Sequence, residues 1–427
     1  MRPTPSSRGP LLRVALLIAT FVLTGACDGG DRTADTADQS TVVDSAGITI
    51  TTINTPPDRL PQWQLDSQPL WTITGTGTDD STSLSLVGPV RWLSDGGLVV
   101  ADTDGAQLLV FDSLGTLQRS HGRRGSGPAE FQEITNLSVG RGDTISTFDM
   151  RLRRLSFWHA GAGFVRLLSL SEGGDDDVWP AGAWLWQDSL VVVLQLGSTP
   201  FPAPEGSATV ARWPETAELT LRDSGGRLLN RSPRFDGSFG GADSRSSFWA
   251  PFSPRPFVAV ASDRLYFGSG SKFHVSTLGA SFALEREVRW PLQQEPVQAE
   301  EIARLRENFV AFASRFADRE RAGQVFDQSV HPSLLPKYRP AIDRALIDDT
   351  QRLWLARFEP PRVGTPLQVP PNRWTVHAVS GEPIAAVQLP PLTRLEAVRG
   401  NRAAVVQRDS LDIEFVAVYR MAERSAP

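Results

Sequence analysis

The chain has 427 residues, with 43 Lys and Arg, 48 Asp and Glu and a single cysteine, which is an ordinary globular composition. One cysteine excludes an internal disulfide framework and a cysteine-based zinc site, because both need several cysteines. The formal net charge of −5 argues against a nucleic-acid-binding surface, and the length fits either several domains or one large β architecture.

The first 26 residues are typical of a secretory signal. Three arginines precede an apolar run over residues 14–23, which is too short to span a membrane comfortably. The sequence Leu23-Thr-Gly-Ala-Cys27 resembles the lipobox of bacterial lipoproteins. That resemblance implies cleavage before Cys27 and attachment of lipid to its thiol. The alternatives are an ordinary secretory signal and a buried thiol.

Residues 27–42 are predicted to form a flexible acidic tether. Residues 28–42 contain four aspartates, one arginine and no aromatic residue. Such a composition cannot bury enough apolar surface to order itself. The tether would join the lipid to a folded body at 43–427.

A short pattern recurs six times in the body: an apolar residue, three residues of turn type, a glycine and then a β-like run. The glycines of this pattern are Gly47, Gly115, Gly161, Gly225, Gly279 and Gly381. Each instance predicts a hairpin in which glycine supplies a positive φ. Repeats of about 40–50 residues with four short strands indicate propeller blades. We therefore predict an all-β, six-bladed β-propeller.

The two ends of the body complement each other. The last strand candidate, at 411–419, has no hairpin and no following outer strand, whereas the turn at Gly47 has little before it. Adding the N-terminal strand at 47–53 to the last blade would close the ring and remove exposed sheet edges. The sixth blade is therefore predicted to be composite.

Residues 296–323 are predicted to form a helical insertion. Five apolar residues follow one another at steps of 3, 4, 3 and 4: Ile302, Leu305, Phe309, Phe312 and Phe316. This spacing gives one helical stripe, and Pro296 suits a first helical position. The stripe could pack on the propeller itself, or the helix could serve as a lid or as a docking site for a partner.

One stretch resembles a known repeat. Residues 98–115 combine a strand ending in Ala-Asp with a strand ending in Val-Phe-Asp and a turn glycine, and residues 121–131 follow as a Gly-rich connection. This resembles an NHL-type repeat, and the chain as a whole is similar to the bacterial six-bladed β-propeller lipoproteins. The resemblance implies the fold and a location in the bacterial cell envelope, facing the periplasm or the exterior. It implies no catalytic residues.

Candidate site residues are few. Arg123 and Arg124 lie in the Gly-rich connection, which is either a blade linker or an anion site built from backbone N–H groups and guanidinium charge. Six-bladed lactonases hold a divalent metal on the axis with Glu, Asn and Asp side chains. Only Asn136 lies in a position resembling an innermost strand, which weakens the lactonase interpretation. His159 and His377 lie at or beside hairpin turns and are predicted to be surface residues.

These observations favour a lipid-anchored envelope module that binds a small ligand or a protein at the propeller rim. It would contact the membrane through Cys27, bind no nucleic acid and need no cofactor. The alternative is an envelope hydrolase, lactonase or lyase. Its divalent metal or acid/base site would assemble on the propeller axis from distant residues.

Overall fold

The computed structural model describes residues 40–73, 84, 86–170, 178–198, 211–242, 247–248, 250–316, 318–362 and 364–424. All of these belong to one compact unit. No helix within these ranges is long and apolar enough to cross a membrane. The predicted signal peptide, Cys27 and most of the predicted tether lie outside the described residues.

The described part of the chain begins with four short strands. They are β1 (Thr41–Ser45), β2 (Ile48–Thr52), β3 (Gln62–Leu65) and β4 (Trp71–Ile73).

Six antiparallel units, here called blades 1 to 6, follow in chain order. The strands of blades 1 and 2 are β5 (Val87–Trp92), β6 (Leu98–Asp102), β7 (Gln107–Phe111), β8 (Leu117–His121), β9 (Ile134–Val139), β10 (Thr144–Asp149), β11 (Arg154–His159) and β12 (Gly163–Ser169). The strands of blade 3 are β13 (Val178–Trp186), β14 (Leu190–Ser198), β15 (Ala211–Arg222), β16 (Leu228–Arg231), β17 (Phe235–Ala242) and β18 (Ser247–Phe248).

The second half of the ring is built in the same way. The strands of blades 4 and 5 are β19 (Phe257–Val260), β20 (Leu265–Gly268), β21 (His274–Leu278), β22 (Leu284–Arg289), β23 (Ile342–Ile347), β24 (Leu353–Arg357), β25 (Arg373–His377) and β26 (Pro383–Gln388). Blade 6 contributes β27 (Arg394–Arg399), β28 (Arg402–Arg408) and β29 (Glu414–Glu423).

The blades pack side by side in a closed ring. Each neighbouring pair of blades shares one cluster of buried apolar side chains, including the pair formed by blades 6 and 1. The inner strands are buried on both faces, as in Leu98–Asp102, whereas the outermost strand Leu117–His121 is half-buried or exposed. Continuous apolar runs therefore mark the inner strands of this fold, and mixed sequences mark its outer edge.

The N-terminal segment runs along the outer edge of three successive blades. Strand β2 pairs with β22 of blade 4, β3 with β26 of blade 5, and β4 with β29 of blade 6. The predicted closure is correct in kind, because an N-terminal strand does complete the last blade. The predicted strand was wrong: residues 71–73 close blade 6, and the hairpin around Gly47 adds to blade 4. The repeat pattern at Gly47 therefore marks this extra hairpin and not a blade.

The other five turn glycines lie between the third and fourth strands of blades 1 to 5, because blade 6 takes its fourth strand from the N-terminus. The backbone φ is positive at Gly47, Gly115 and Gly381 as predicted, but in the other three turns the positive φ falls on Gly163, Gly226 and Phe282.

The helical insertion follows blade 4 and contains two helices, α1 (Ala299–Ala313) and α2 (Arg319–Ser329). The prediction of one helix with a buried stripe was wrong in its second half. Leu305 is buried, whereas Phe312 is 50% exposed and Phe316 is 82% exposed beyond the end of α1. Helix α1 begins after Gln298, which forms a capping box with Glu301, so Pro296 lies outside the helix.

Candidate functional site

The six innermost strands end around a channel on the propeller axis. These are the first strands of the blades, and each contributes lining residues to one cavity of about 710 Å3. Representative lining residues, one per blade, are Trp92, Val139, Leu185, Val260, Ile347 and Val398. The channel exists only because the ring is closed, since residues more than 300 positions apart share its wall.

A single buried carboxylate, Glu396 of β27, lies at the inner end of this channel among three arginines. Its Oε1 lies 2.9 Å from Nε of Arg394 and 3.2 Å from Nη1 of Arg344, and its Oε2 lies 4.0 Å from Nη1 of Arg91. Arg91 also donates to the backbone carbonyl of Glu396 at 3.1 Å. The cluster joins blades 1, 5 and 6 on the axis.

The three arginines face open space although they surround a buried group. The Glu396 side chain is 4% exposed, whereas those of Arg91, Arg344 and Arg394 keep 31%, 29% and 29% of their surface. Burial would raise the pKa of the Glu396 carboxyl, but the charges of Arg344, Arg394 and Arg91 outweigh it and hold that pKa below its usual value. Glu396 is therefore ionised at neutral pH.

The pKa values of Arg91 and Arg344 shift in opposite directions. Burial lowers the pKa of Arg91, and the neighbouring charge of Arg344 lowers it further against the opposing effect of Glu396. Burial would also lower the pKa of Arg344, but Glu396 and Asp343 outweigh it and raise that pKa. The positive charge of Arg91 is thus less compensated than that of Arg344, and Arg91 also lies farthest from the Glu396 carboxylate.

Two more cavities reach the cluster around Glu396 from the side that faces away from the channel. Arg344 precedes the channel residues of β23 and lines a cavity of about 600 Å3. Arg394 likewise precedes Glu396 on β27 and lines a cavity of about 790 Å3 between α1 and blade 6. The cluster therefore lies between the channel and these two spaces.

The inner end of the channel does not fit a divalent cation. Both carboxylate oxygens of Glu396 face guanidinium groups, and a metal ion would have to displace those arginines while adding to their charge. In the described ranges, no group of three or more His, Cys, Asp and Glu side chains lies close enough together to hold a metal. The surroundings of Glu396 therefore do not support a metal centre at this end of the channel.

Arg123 and Arg124 lie on the surface of the Gly-rich connection between blades 1 and 2. Nε of Arg123 donates to Oε1 of Glu130 at 2.8 Å, and Oε2 of Glu130 accepts the Gly127 N–H at 2.8 Å. Nη2 of Arg124 donates to the carbonyl of Asp104 at 2.5 Å. The carboxylate of Glu130 thus occupies the place where an external anion would bind.

Asn136 lies on β9, the innermost strand of blade 2, as predicted from its sequence context. Its Oδ1 is buried and has no hydrogen-bond partner among the described residues. The channel wall begins one residue later, at Leu137. The structure does not bring Asn136 together with Arg123 and Arg124, which lie in the connection between the blades.

The prediction that His377 lies on the surface was wrong. It is 2% exposed, and its Nε2 lies 2.9 Å from the Thr375 hydroxyl while its Nδ1 lies 3.2 Å from the Gly381 carbonyl oxygen. Burial lowers its pKa to about 4. The turn that follows His377 lies against blade 4, where Val288 packs on Gly381. His159 is exposed, as predicted.

Four residues of this site were not among the candidates predicted from the sequence: Arg91, Arg344, Arg394 and Glu396. Each lies on the first strand of its blade, in Val87–Trp92, Ile342–Ile347 and Arg394–Arg399. Charged residues within the first strand of a blade, where burial is expected, are the signal that could have identified them.

Comparisons with known proteins agree with this architecture. A family model described as 6-bladed beta-propeller matches residues 77–161, which include all of blade 1 and most of blade 2. No curated protein matches the sequence.

Three solved structures illustrate the similarity. A Bacteroides fragilis protein described as exported is 10% identical, with 85% of this chain and 99% of that chain covered and a TM-score of 0.43. A calcium-binding regucalcin from Agrobacterium tumefaciens is 11% identical, with coverage of 86% and 98% and a TM-score of 0.39. Virginiamycin B lyase from Staphylococcus aureus is 11% identical, with coverage of 86% and 90% and a TM-score of 0.39. The closed ring of six blades and the family match together identify this chain as a six-bladed β-propeller.

Proposed function

We propose that this protein is a lipid-anchored binding module of the bacterial cell envelope that holds a small ligand in its axial channel. The observation that carries the proposal is the channel itself, to which all six blades contribute and which has charged side chains at its inner end. A volume of about 710 Å3 lies within the range of small-molecule sites in proteins.

The envelope location is supported by the N-terminal sequence. A signal-like segment ends at the lone cysteine, and an acidic stretch follows it. Lipidation with more than one acyl chain would hold the protein firmly on a membrane. The acidic stretch would leave the propeller free to meet ligands near that surface.

A binding role fits the axial chemistry better than a catalytic one. At the inner end of the channel the carboxylate of Glu396 is held by arginines, so it is a poor general base and a poor nucleophile. An envelope hydrolase, lactonase or lyase stays the alternative, and no contact in the described channel favours it.

Ligand binding can be tested with the full chain purified from membranes in detergent. We expect some members of a library of small metabolites to raise its melting temperature in a saturable way, because a ligand that binds only the folded state stabilises it. Ser138 lines the channel, so Ser138→Trp should abolish the response. Ser224 lies exposed in the outer turn of blade 3, and Ser224→Trp should keep it. An unchanged response in Ser138→Trp would contradict the proposal.

The anchor is tested separately by fractionation. Cys27→Ser removes the only thiol and should move the protein from the membrane fraction to the soluble fraction after cell lysis. Metabolic labelling with a palmitate analogue should mark the wild-type chain and not the variant. Equal membrane retention of both chains would show that the anchor is not a lipid on Cys27.

A further inference from the structure

We infer that the axial channel takes ligands that carry an oxyanion, a carboxylate or a phosphate group, which binds beside Arg91 at the inner end. The inference deepens the proposed function and rests on it, because it names the chemical class of the ligand. The charges, contacts and exposure around Glu396 carry it.

The inner end of the channel carries more positive than negative charge. Three guanidinium groups, those of Arg91, Arg344 and Arg394, surround the single carboxylate of Glu396. Asp343 interacts with the charges of both Arg344 and Arg255, and Asp343 and Arg255 line the neighbouring cavity and not the channel. Within the cluster three cations thus face one anion, and about 70% of each arginine side chain is covered.

The acids nearer the channel mouth do not neutralise this surplus of positive charge. Asp188 lies 3.5 Å from Arg141, and Asp348 lies 2.6 Å from Arg352. Asp349 accepts the N–H of Gly400 at 2.8 Å. Asp188 and Asp348 thus pair with arginines outside the cluster, and Asp349 has a neutral N–H as its partner. Among the described residues, none of the three carboxylates forms an ion pair with Arg91, Arg344 or Arg394.

Arg91 retains unused hydrogen-bond donors. A guanidinium carries five N–H groups. Nη1 of Arg91 donates to the carbonyls of Val90 and Glu396, at 2.8 and 3.1 Å, and its carboxylate contact with Glu396 is long, at 4.0 Å. Since Arg91 lines the channel and keeps 31% of its side-chain surface, its remaining N–H groups can meet an oxyanion there.

The surplus of positive charge at the inner end has an energetic cost. Partly buried cations that exceed their counter-charges are destabilising until an anion joins them. Burial lowers the pKa of Arg91, and the charge of Glu396 does not fully offset that burial. A carboxylate or a phosphate would add one or two negative charges and accept bidentate hydrogen bonds from guanidinium groups, which a neutral sugar or peptide would not.

The test uses the full chain in detergent at constant ionic strength, with inorganic phosphate, succinate and glucose as the added compounds and chloride as the balancing ion. We expect phosphate or succinate to raise the melting temperature in a saturable way and glucose to leave it unchanged. A response to phosphate alone would assign a phosphate ligand, and a response to succinate alone a carboxylate ligand.

Variants separate binding at the axis from general salt effects. Arg91→Gln should weaken the apparent affinity at least tenfold, and Arg91→Lys should weaken it less, because lysine keeps the charge but loses the bidentate geometry. Arg264 is the matched control. It is similarly exposed, pairs with Asp263 at 2.7 Å and does not line the channel, so Arg264→Gln should respond as the wild type does.

Two results would overturn the inference: no saturable response of the wild type to either anion, or an equal response of Arg91→Gln. Its failure is distinguishable from failure of the proposed function. If neutral or cationic metabolites stabilise the wild type and not Ser138→Trp, the channel is still a ligand site and only its anion preference is wrong. If Arg91→Gln does not fold, Arg91→Lys carries the test.

Discussion

Nη1 of Arg344 lies 3.2 Å from Oε1 of Glu396, and this contact links the innermost strands of two neighbouring blades. Arg91 of blade 1 approaches the same carboxylate from its other side at 4.0 Å. One acidic side chain therefore holds three blades together where the ring closes. The same residue leaves the inner end of the channel with more positive than negative charge.

Removing the charge of Glu396 should destabilise the ring. Glu396→Gln would leave Arg91, Arg344 and Arg394 facing one another without a counter-ion, and breaking a buried pair in this way costs about 3 kcal/mol. Urea denaturation followed by tryptophan fluorescence would measure the loss. Glu382 is exposed, so Glu382→Gln should stay within about 0.5 kcal/mol of the wild type. Equal stability of the two variants would contradict the assigned role of Glu396.

The closing strand β4 should contribute strongly to stability. Ile73 pairs with Val416 of β29 and is 4% exposed within the apolar cluster of blades 6 and 1. Ile73→Ala should lower the free energy of unfolding by about 3 kcal/mol, because it removes buried methyl groups and leaves a cavity. Val43 on β1 is 54% exposed, so Val43→Ala should change the stability little. Similar losses in both variants would argue against closure by β4.

The Gly-rich connection offers a matched pair of arginines. Arg154 is 8% exposed and donates to the carbonyls of Ser126, Gly127 and Glu130 at 2.9, 2.6 and 2.6 Å. Arg154→Ala should cost about 3 kcal/mol, because it leaves several carbonyl groups without their donor. The Arg123 side chain is 80% exposed in its pair with Glu130, so Arg123→Ala should cost less than about 1 kcal/mol. Thermal unfolding would rank the two, and a reversed ranking would be the contrary result.

Acid should destabilise the protein through His377. Its pKa is about 4 in the folded state against about 6.5 for an unperturbed histidine. Between these values the unfolded chain binds a proton that the folded chain does not. The free energy of unfolding therefore falls as pH falls from 6.5 to 4, by about 3 kcal/mol from this group.

His377→Gln should remove this component and give a shallower fall in stability between pH 6.5 and 4. The exposed His159 is the control, since His159→Gln should keep the wild-type slope. Urea denaturation at several pH values would measure the slopes. Parallel pH profiles for His377→Gln and the wild type would show that His377 does not contribute.

The sequence predicts much of the fold because its signals are local. The third-to-fourth strand turns at Gly115 and Gly381 need a positive φ, and buried strands such as Leu98–Asp102 are continuous apolar runs. Both features can be read within ten residues. The closing strand could not be assigned in this way, since the choice between 47–53 and 71–73 depends on how the segment runs along blades 4 and 5 before it reaches blade 6.

By itself, the amino-acid sequence determined the all-β propeller, the turns of blades 1 to 5, the composite last blade and the position of the helical insertion, because strand periodicity and turn chemistry act over short distances. Only the tertiary structure decided which residues share the axis. Arg91, Arg344 and Glu396 lie up to 305 positions apart, and their contacts follow from the closure of the ring. Sequence spacing carries no information about such contacts, since each of these residues appears locally only as a charged position in a short strand.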